Sequence, residues 1–229
     1  MGQGGAKSPL AAKSQNSSSA IKPDRDLQGM SLTRHPSLRS NKGRVSRHAS
    51  VRKTSSFLTA ELRRRVQLSW QVVKKEHADK GPSNSGYGLA VFRLIFDSCP
   101  ELIKAFALDK HSALDQLPEN HPFLRHTNVF TNIIDLAVRN IDELEVQIAP
   151  ALLTYGRRHY YKHHVGFTPD YTTVFSSSML QIISDCLKEA WSSELEHSWS
   201  QLVGYMMSKM KEGYELEAMH RKKSGKWFG

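Results

Sequence analysis

Two histidines of this chain, His126 and His159, lie at positions where a helical protein normally has apolar side chains. Apolar residues recur around each of them at i, i+3, i+4 and i+7, which is the spacing of a helix face that packs inward. These faces contain Phe123, Phe130, Ile133, Ile134, Ala137 and Ile141 beside His126, and Ile148, Leu152 and Tyr155 beside His159. A single histidine on such a face is more often an ordinary core residue, but two that point into one interior suit a metal-bearing cofactor.

The elements that would position these histidines are also predicted to be helical. A first helix is expected to begin after Thr59, whose side chain suits the N-cap, and to end before the Gly81-Pro82 break. A second covers about 86–97, and two long helices follow the irregular corner at 163–169. No segment alternates with period two, so the predicted fold class is all-α with seven or eight helices.

Charge is distributed unevenly along the chain. Residues 1–56 contain eleven Lys and Arg against two Asp, a net charge of +9, together with twelve serines and no aromatic residue. Such a segment cannot bury enough apolar surface to fold, so we expect a disordered basic extension. Residues 57–217 are expected to form the folded domain and residues 218–229 a basic C-terminal tail. Because residues 57–220 have a net charge of −3, no nucleic-acid partner is expected.

Hydropathy and cysteine use favour an intracellular protein. No run approaches the roughly eighteen apolar residues of a membrane span, and the chain does not start with the apolar stretch of a secretory signal. A cytoplasmic location is therefore expected. The two cysteines, Cys99 and Cys186, are expected to be reduced thiols, with a disulfide between them as the alternative. Cys186 is predicted to be an inert, small apolar residue of a helix face.

The order of several residues within 57–217 resembles the globin family. They are Trp70 in the first helix, Pro100 at the start of a short third helix, Phe106 six residues later, His126 in Phe-Leu-Arg-His, His159 in Tyr-Gly-Arg-Arg-His, and Trp199 in Ser-Trp-Ser-Gln-Leu. The motif around His126 and the last helix are most similar to those of nematode and neuroglobin-type intracellular globins. The resemblance covers the whole predicted domain and implies a globin fold of seven to eight helices.

The resemblance also implies a cofactor and its contacts. Haem b, iron protoporphyrin IX, is expected, with His159 as the proximal iron ligand. His126 would lie on the distal side, either as a hydrogen-bond donor to an iron-bound gas or as a second axial ligand, and both roles stay open. Other implied haem contacts are Phe92, Phe106 and Phe130, then Tyr155 and Val165 on the proximal face, and His163 beside a propionate. Arg158 and Lys162 are alternatives for that last role.

Three classes of function follow from the resemblance. The favoured one is a haem protein that binds dioxygen or another diatomic gas, or exchanges electrons, in local oxygen or redox signalling inside the cell. The second is a haem enzyme for nitric oxide dioxygenation, nitrite reduction or superoxide chemistry, which would need an external reductase. The third is a globin-shaped interaction module without a cofactor.

The N-terminal extension has a separate motif. Gly2 has small or uncharged neighbours, as in N-myristoylated proteins, although Ala6 stands where Ser or Thr is preferred. One myristoyl chain binds a bilayer only marginally, and the basic residues would supply a second attraction to an anionic surface. Peripheral attachment at the inner face of the plasma membrane is therefore predicted. A generic basic, serine-rich tail is the alternative.

Overall fold

We describe the protein from a computed structural model, which describes residues 58–78, 86–109 and 112–225. The predicted basic extension, with Gly2, lies outside these residues. Within the described ranges, no helix is both long and apolar enough to cross a bilayer.

The described residues form seven α-helices and five short 3-10 helices. The α-helices are α1 Ala60–His77, α2 Gly86–Ser98, α3 Pro122–Arg139, α4 Leu144–Gln147, α5 Ala149–Tyr160, α6 Thr172–Leu187 and α7 Ser193–Gly225. The 3-10 helices are Pro100–Phe106, Leu114–Gln116, His163–Val165, Pro169–Tyr171 and Lys188–Ala190. No strand occurs in these parts of the chain. The prediction of an all-α fold is therefore confirmed.

Two helix starts are fixed by side chains that accept a backbone hydrogen bond. Thr59 Oγ1 accepts from the amide of Leu62 at 3.2 Å, which confirms the predicted cap of α1. At α3, His121 Nδ1 accepts from the amide of Phe123 at 3.2 Å, and Pro122 occupies the first turn, where its missing N–H is not needed. A helix cap contributes about 1 kcal/mol. The start of α3, and with it the position of His126, is thus set by its own sequence.

Buried and partly buried polar bonds join α1 to α3 and α7. Trp70 Nε1 donates to Asp135 Oδ1 on α3 at 2.8 Å, and the Lys74 ammonium reaches the same oxygen at 2.8 Å. On α7, Trp199 Nε1 donates to Ser69 Oγ at 3.0 Å. An N–H left buried without a partner costs about 1–3 kcal/mol. These bonds therefore fix α1 in register against both neighbours.

Glycines allow the helices that contain the two histidines to approach their neighbours closely. A Cβ on Gly88 of α2 would overlap the carbonyl oxygen of Thr127 on α3, one residue after His126. On α5, a Cβ on Gly156 would overlap the Met210 carbonyl of α7, and one on Gly213 of α7 would overlap the Leu153 carbonyl of α5. No side chain could therefore be added at these crossings without moving a helix.

The last helix is longer than the predicted domain. Residues 218–225, part of the predicted basic C-terminal tail, form the last turns of α7. This end of α7 is joined to the end of α5 by Tyr161, whose hydroxyl donates to Glu217 Oε1 at 2.5 Å. Arg221 binds the same carboxylate at 3.0 Å and stacks over the Tyr161 ring, 5.1 Å from its centre. These contacts hold the end of α7 against the region that follows His159.

Candidate functional site

His126 and His159 face each other across the interior. His126 lies in the second turn of α3 and His159 in the last turn of α5, and their ring centres are 6.0 Å apart. The two rings are inclined by 64°. Both side chains are half-buried. The expectation that two imidazoles point into one apolar interior is therefore met by the geometry.

The tautomer of His159 follows from its hydrogen bond. Nδ1 lies 2.7 Å from the carbonyl oxygen of Tyr155, one turn earlier on α5. A carbonyl oxygen only accepts, so Nδ1 must carry the proton. The lone pair is then on Nε2, and the bond holds the ring in one orientation. This is the arrangement in which histidine binds a metal ion through Nε2.

His126 lies in a more apolar environment. Its ring centre is 5.4 Å from Phe92 and 5.1 Å from Phe106, and no hydrogen bond of its ring occurs among the described residues. Burial, followed by the nearby His159 and the charge of Lys162, lowers the pKa of His126 to about 3. Burial also lowers the pKa of His159, against the opposing effect of the Tyr155 carbonyl. Both imidazoles are therefore neutral at physiological pH and can act as ligands.

Phenylalanine side chains form one wall of the site, with Phe92 at its centre. Phe92 is fully buried, and its ring packs within about 6 Å, mostly edge-on, against several aromatic rings besides His126. These are Phe96 at 5.9 Å, Phe106 at 5.3 Å, Phe123 at 5.6 Å, Phe130 at 5.4 Å and Phe175 at 5.5 Å. The predicted residues Phe92, Phe106 and Phe130 are thus brought together beside His126. The wall excludes water from this side of the pair.

Phe167 is a site residue that sequence analysis did not identify. Its ring centre lies 5.1 Å from that of His159 and 6.3 Å from that of Tyr214 on α7. It follows Gly166, whose φ of 89° ends the preceding 3-10 helix in the left-handed region. The corner has no helical periodicity, so its apolar residues gave no inward-facing pattern.

The remaining predicted haem contacts are Tyr155, Val165 and His163, and they differ in their position relative to the two histidines. Tyr155 contributes its backbone carbonyl to His159, as described above. Val165 is half-buried at the end of the helix His163–Val165. His163 is exposed, and its ring stacks on that of Tyr160 at 5.0 Å while its Nδ1 bonds the Tyr160 carbonyl at 2.7 Å. The structure does not bring the His163 ring against the pair of histidines.

Lys162 is the cation whose charge reaches both histidines. It lowers the pKa of His126 and that of His159. Its own side chain is exposed, and within the described ranges no carboxylate pairs with it. A positive charge with no carboxylate partner in the described part of the chain therefore lies at the edge of the site.

The donor set indicates what kind of metal centre would fit here. Two neutral imidazole nitrogens can bind a metal ion between them, but no group of three or more His, Cys, Asp or Glu suited to a metal occurs in the described parts of the chain. A bare ion would therefore lack most of its ligands. A metal that brings its remaining ligands with it fits this pair better.

Comparison with known proteins adds three similarities. The family model described as Globin matches residues 89–210. Globin-related protein glb-13 of Caenorhabditis elegans is 26% identical over 172 residues, which are 72% of this chain and 55% of that relative. Neuroglobin of Tetraodon nigroviridis is 26% identical over 135 residues, 58% of this chain and 82% of the relative. The chain thus spans little more than half of the nematode protein.

A solved structure shares the fold. The crystal structure of a hexacoordinated heme protein from an anhydrobiotic tardigrade, at pH 4, superposes with a TM-score of 0.58. The superposition covers 70% of this chain and 97% of the tardigrade protein, with 19% sequence identity. At that identity the likeness concerns the arrangement of helices only.

Proposed function

This chain belongs to the globin family, and from that premise we propose that it binds haem between His126 and His159. The observation that supports the proposal is the separation of 6.0 Å between the two facing imidazole rings. Two imidazoles that bind one metal ion from opposite sides have ring centres about 6 Å apart, because each metal–nitrogen bond is about 2 Å long and each nitrogen lies roughly 1 Å from the centre of its ring. A porphyrin supplies the four ligands that the described residues do not. The donor set therefore fits haem.

The two histidines have unequal roles in this proposal. His159 would hold the haem iron as the proximal ligand, since the Tyr155 carbonyl fixes its ring and makes Nε2 a stronger donor. His126 has no comparable hydrogen bond among the described residues, so its ring is held by packing against Phe92 and Phe106 alone. His126 would therefore be the more weakly held of the two iron ligands, and the one that a diatomic gas would replace. This favours the second of the two roles that the sequence left open.

The site supports gas binding in competition with His126, or electron exchange. Bound haem would supply an iron that changes between ferrous and ferric and that takes a diatomic ligand such as dioxygen. The wall centred on Phe92 keeps water away from the His126 side. His126 itself, with its pKa lowered to about 3, stays neutral there and would keep its nitrogen lone pair available to iron. We therefore propose local gas or redox sensing, with an external reductase as the electron source.

We propose Lys162 as the partner of a haem propionate, in place of His163. Its ammonium is close enough to both histidines to act on them and lacks a described carboxylate partner. The His163 ring is instead stacked on Tyr160. Lys162→Gln should raise the haem dissociation rate about two- to fivefold at low salt, as expected for an ion pair of an exposed lysine. His163→Gln is the matched control, and a larger effect there would reverse the assignment.

An absorption spectrum of the purified protein tests the central proposal. With non-covalent haem b, the ferrous protein without added ligand should show a strong Soret band and paired visible bands, because both axial positions are filled by histidine. A single broad visible band would mean that His126 is not a ligand. Absence of a Soret band after supplementation with hemin would contradict haem binding altogether and favour a cofactor-free module.

Attachment of the protein to a membrane is a separate proposal, which is supported by the sequence alone. Gly2 and the basic residues of 1–56 lie outside the described residues. We propose that myristoylated Gly2 and the net charge of +9 together attach the protein to an anionic cytoplasmic surface. Equal membrane partitioning of wild type and Gly2→Ala in cells would rule out the lipid component.

A further inference from the structure

A second pair of titratable side chains lies away from the haem-binding histidines, where α1 and α6 end. Cys186 Sγ, near the end of α6, lies 3.3 Å from Nε2 of His77, the last residue of α1. This distance is well within hydrogen-bond range for sulfur. The two residues are 109 positions apart in sequence. The prediction that Cys186 is an inert core residue does not account for an imidazole nitrogen placed against its sulfur.

We propose that Cys186 and His77 form a thiolate–imidazolium pair, and that Cys186 is a site of covalent modification by small disulfides. A thiolate is the reactive form of cysteine, and a neighbouring imidazolium stabilises it. Histidine at the C-terminal end of a helix is itself favoured in its protonated form by the helix dipole. His77 is in this position on α1, in the same last turn as Lys75. The α1 dipole therefore favours the proton on His77, whereas the end of α6 disfavours a negative charge on Cys186, so the direct contact with the imidazolium must stabilise the thiolate.

Two described groups near the pair, Tyr87 and Asp185, do not compete for that proton. The Tyr87 ring on α2 lies 5.9 Å from His77, and its hydroxyl donates to the Met179 carbonyl at 3.3 Å. Burial and the neighbouring Cys186 raise the pKa of Tyr87, so it stays neutral. Asp185, next to Cys186 on α6, accepts a hydrogen bond from Gln181 at 2.8 Å and is exposed.

The second cysteine provides a contrast within the same chain. Cys99 and Cys186 are both half-buried, and neither forms a disulfide. Burial and the nearby Glu101 raise the pKa of Cys99, which disfavours its thiolate. Cys186 has a histidine where Cys99 has a carboxylate. Because the two thiols are similarly buried but only Cys186 has an imidazole beside it, we expect only Cys186 to react readily near neutral pH.

The reaction is a thiol–disulfide exchange and needs no outside oxidant beyond the disulfide. Sγ of the Cys186 thiolate attacks one sulfur of a disulfide such as oxidised glutathione. A bond forms between Sγ and that sulfur while the original sulfur–sulfur bond breaks. The other sulfur leaves as a thiolate, and the proton of Cys186 remains on His77. One disulfide is consumed and one mixed disulfide is formed.

The test measures the reaction of the full-length protein with the disulfide reagent DTNB at pH 7, with the modified residue identified by mass spectrometry of peptides. Cys186 should react about tenfold faster than Cys99 or more, because an ordinary thiol is only a few per cent ionised at this pH. His77→Gln should lower the Cys186 rate about tenfold and leave that of Cys99 unchanged. The matched control is His197→Gln, at an exposed histidine of α7, which should behave as wild type.

Two results would overturn the proposal: equal rates for the two cysteines in the folded protein, or an unchanged Cys186 rate in a His77→Gln variant with native circular dichroism. If His77→Gln does not fold, the wild type decides the question through the pH dependence of iodoacetamide labelling. The Cys186 profile should then have its midpoint at least about one pH unit below that of Cys99. A midpoint at or above that of Cys99 would contradict the pair. Neither measurement depends on haem content.

Discussion

The phenyl ring of Phe167 lies 5.1 Å from the imidazole ring of His159, on the side of α7. It connects His159 to Tyr214, so the proposed proximal ligand is packed against the last helix through one aromatic side chain. An aromatic contact of this kind contributes about 0.5–1.5 kcal/mol. Phe167→Ala should therefore raise the rate of haem dissociation about tenfold, measured by transfer to an apoglobin acceptor. Val146→Ala, at a residue 74% exposed, is the control and should have no effect.

The two histidines should respond differently to removal. His159→Ala should weaken haem retention by more than about a hundredfold, because the loss of a ligand's hydrogen-bond partner alone costs ten- to a hundredfold. His126→Ala should retain haem and change the paired ferrous bands into one broad band. Absorption spectra and haem-transfer rates of both variants measure this. Equal haem loss from the two would show that the proximal ligand has been assigned to the wrong residue.

Gly156 should not tolerate a methyl group. Its Cβ would overlap the Met210 carbonyl, so Gly156→Ala must push α5 away from α7 and displace His159, three residues later. Overpacking of this kind costs about 1–3 kcal/mol. Gly204 is the matched control, since it is also helical and has open space where its Cβ would be. Gly204→Ala should leave the free energy of unfolding equal or raise it by up to about 1 kcal/mol in urea titrations. A stable Gly156→Ala variant with an unchanged haem spectrum would contradict the direct backbone contact between α5 and α7 at Gly156.

Asp135 should make stability depend on acid pH. Burial raises its pKa, but the hydrogen bonds from Lys74 and Trp70 and the charges of Lys74 and Arg139 outweigh burial, and the net shift is downward. A carboxylate with a lowered folded-state pKa stabilises the protein fully above its unfolded pKa of about 4, and this is lost as the pH falls through the folded value.

Asp135→Asn should accordingly be destabilised by about 1–3 kcal/mol at pH 7, with a smaller difference from wild type at about pH 3. Urea unfolding at the two pH values measures this. Asp97→Asn, at an exposed position of α2, is the control. A constant difference across this pH range would mean that the contribution of Asp135 comes from packing and not from its charge.

Helical periodicity was enough to predict the residues on regular helix faces. His126, Phe92 and Phe130 each lie on a face that packs inward, so their meeting could be expected once the helices were paired. Phe167 could not be found in this way, because it lies after α5 where the backbone turns irregularly. Lys162, in the same region, was an alternative only through the family resemblance. Side chains in such a corner have no periodic direction.

Contacts between distant elements were also beyond sequence reasoning. Cys186 and His77 meet only because α6 packs across α1, and neither residue has a neighbour in sequence that indicates the other. The glycines at the α2–α3 and α5–α7 crossings could have been read as flexible points. Their role is the opposite, since each permits backbone-to-backbone contact that depends on the final packing.

The crossing at Gly156 and Gly213 has a mechanical consequence. Because no side chain separates α5 from α7 there, the two backbones are in direct contact, and a shift of one helix toward the other would displace it. A displacement of the last turns of α7, near Arg221, would therefore also displace the end of α5, which contains His159. The longest helix that the structure describes would in this way change the position of the half-buried His159 ring.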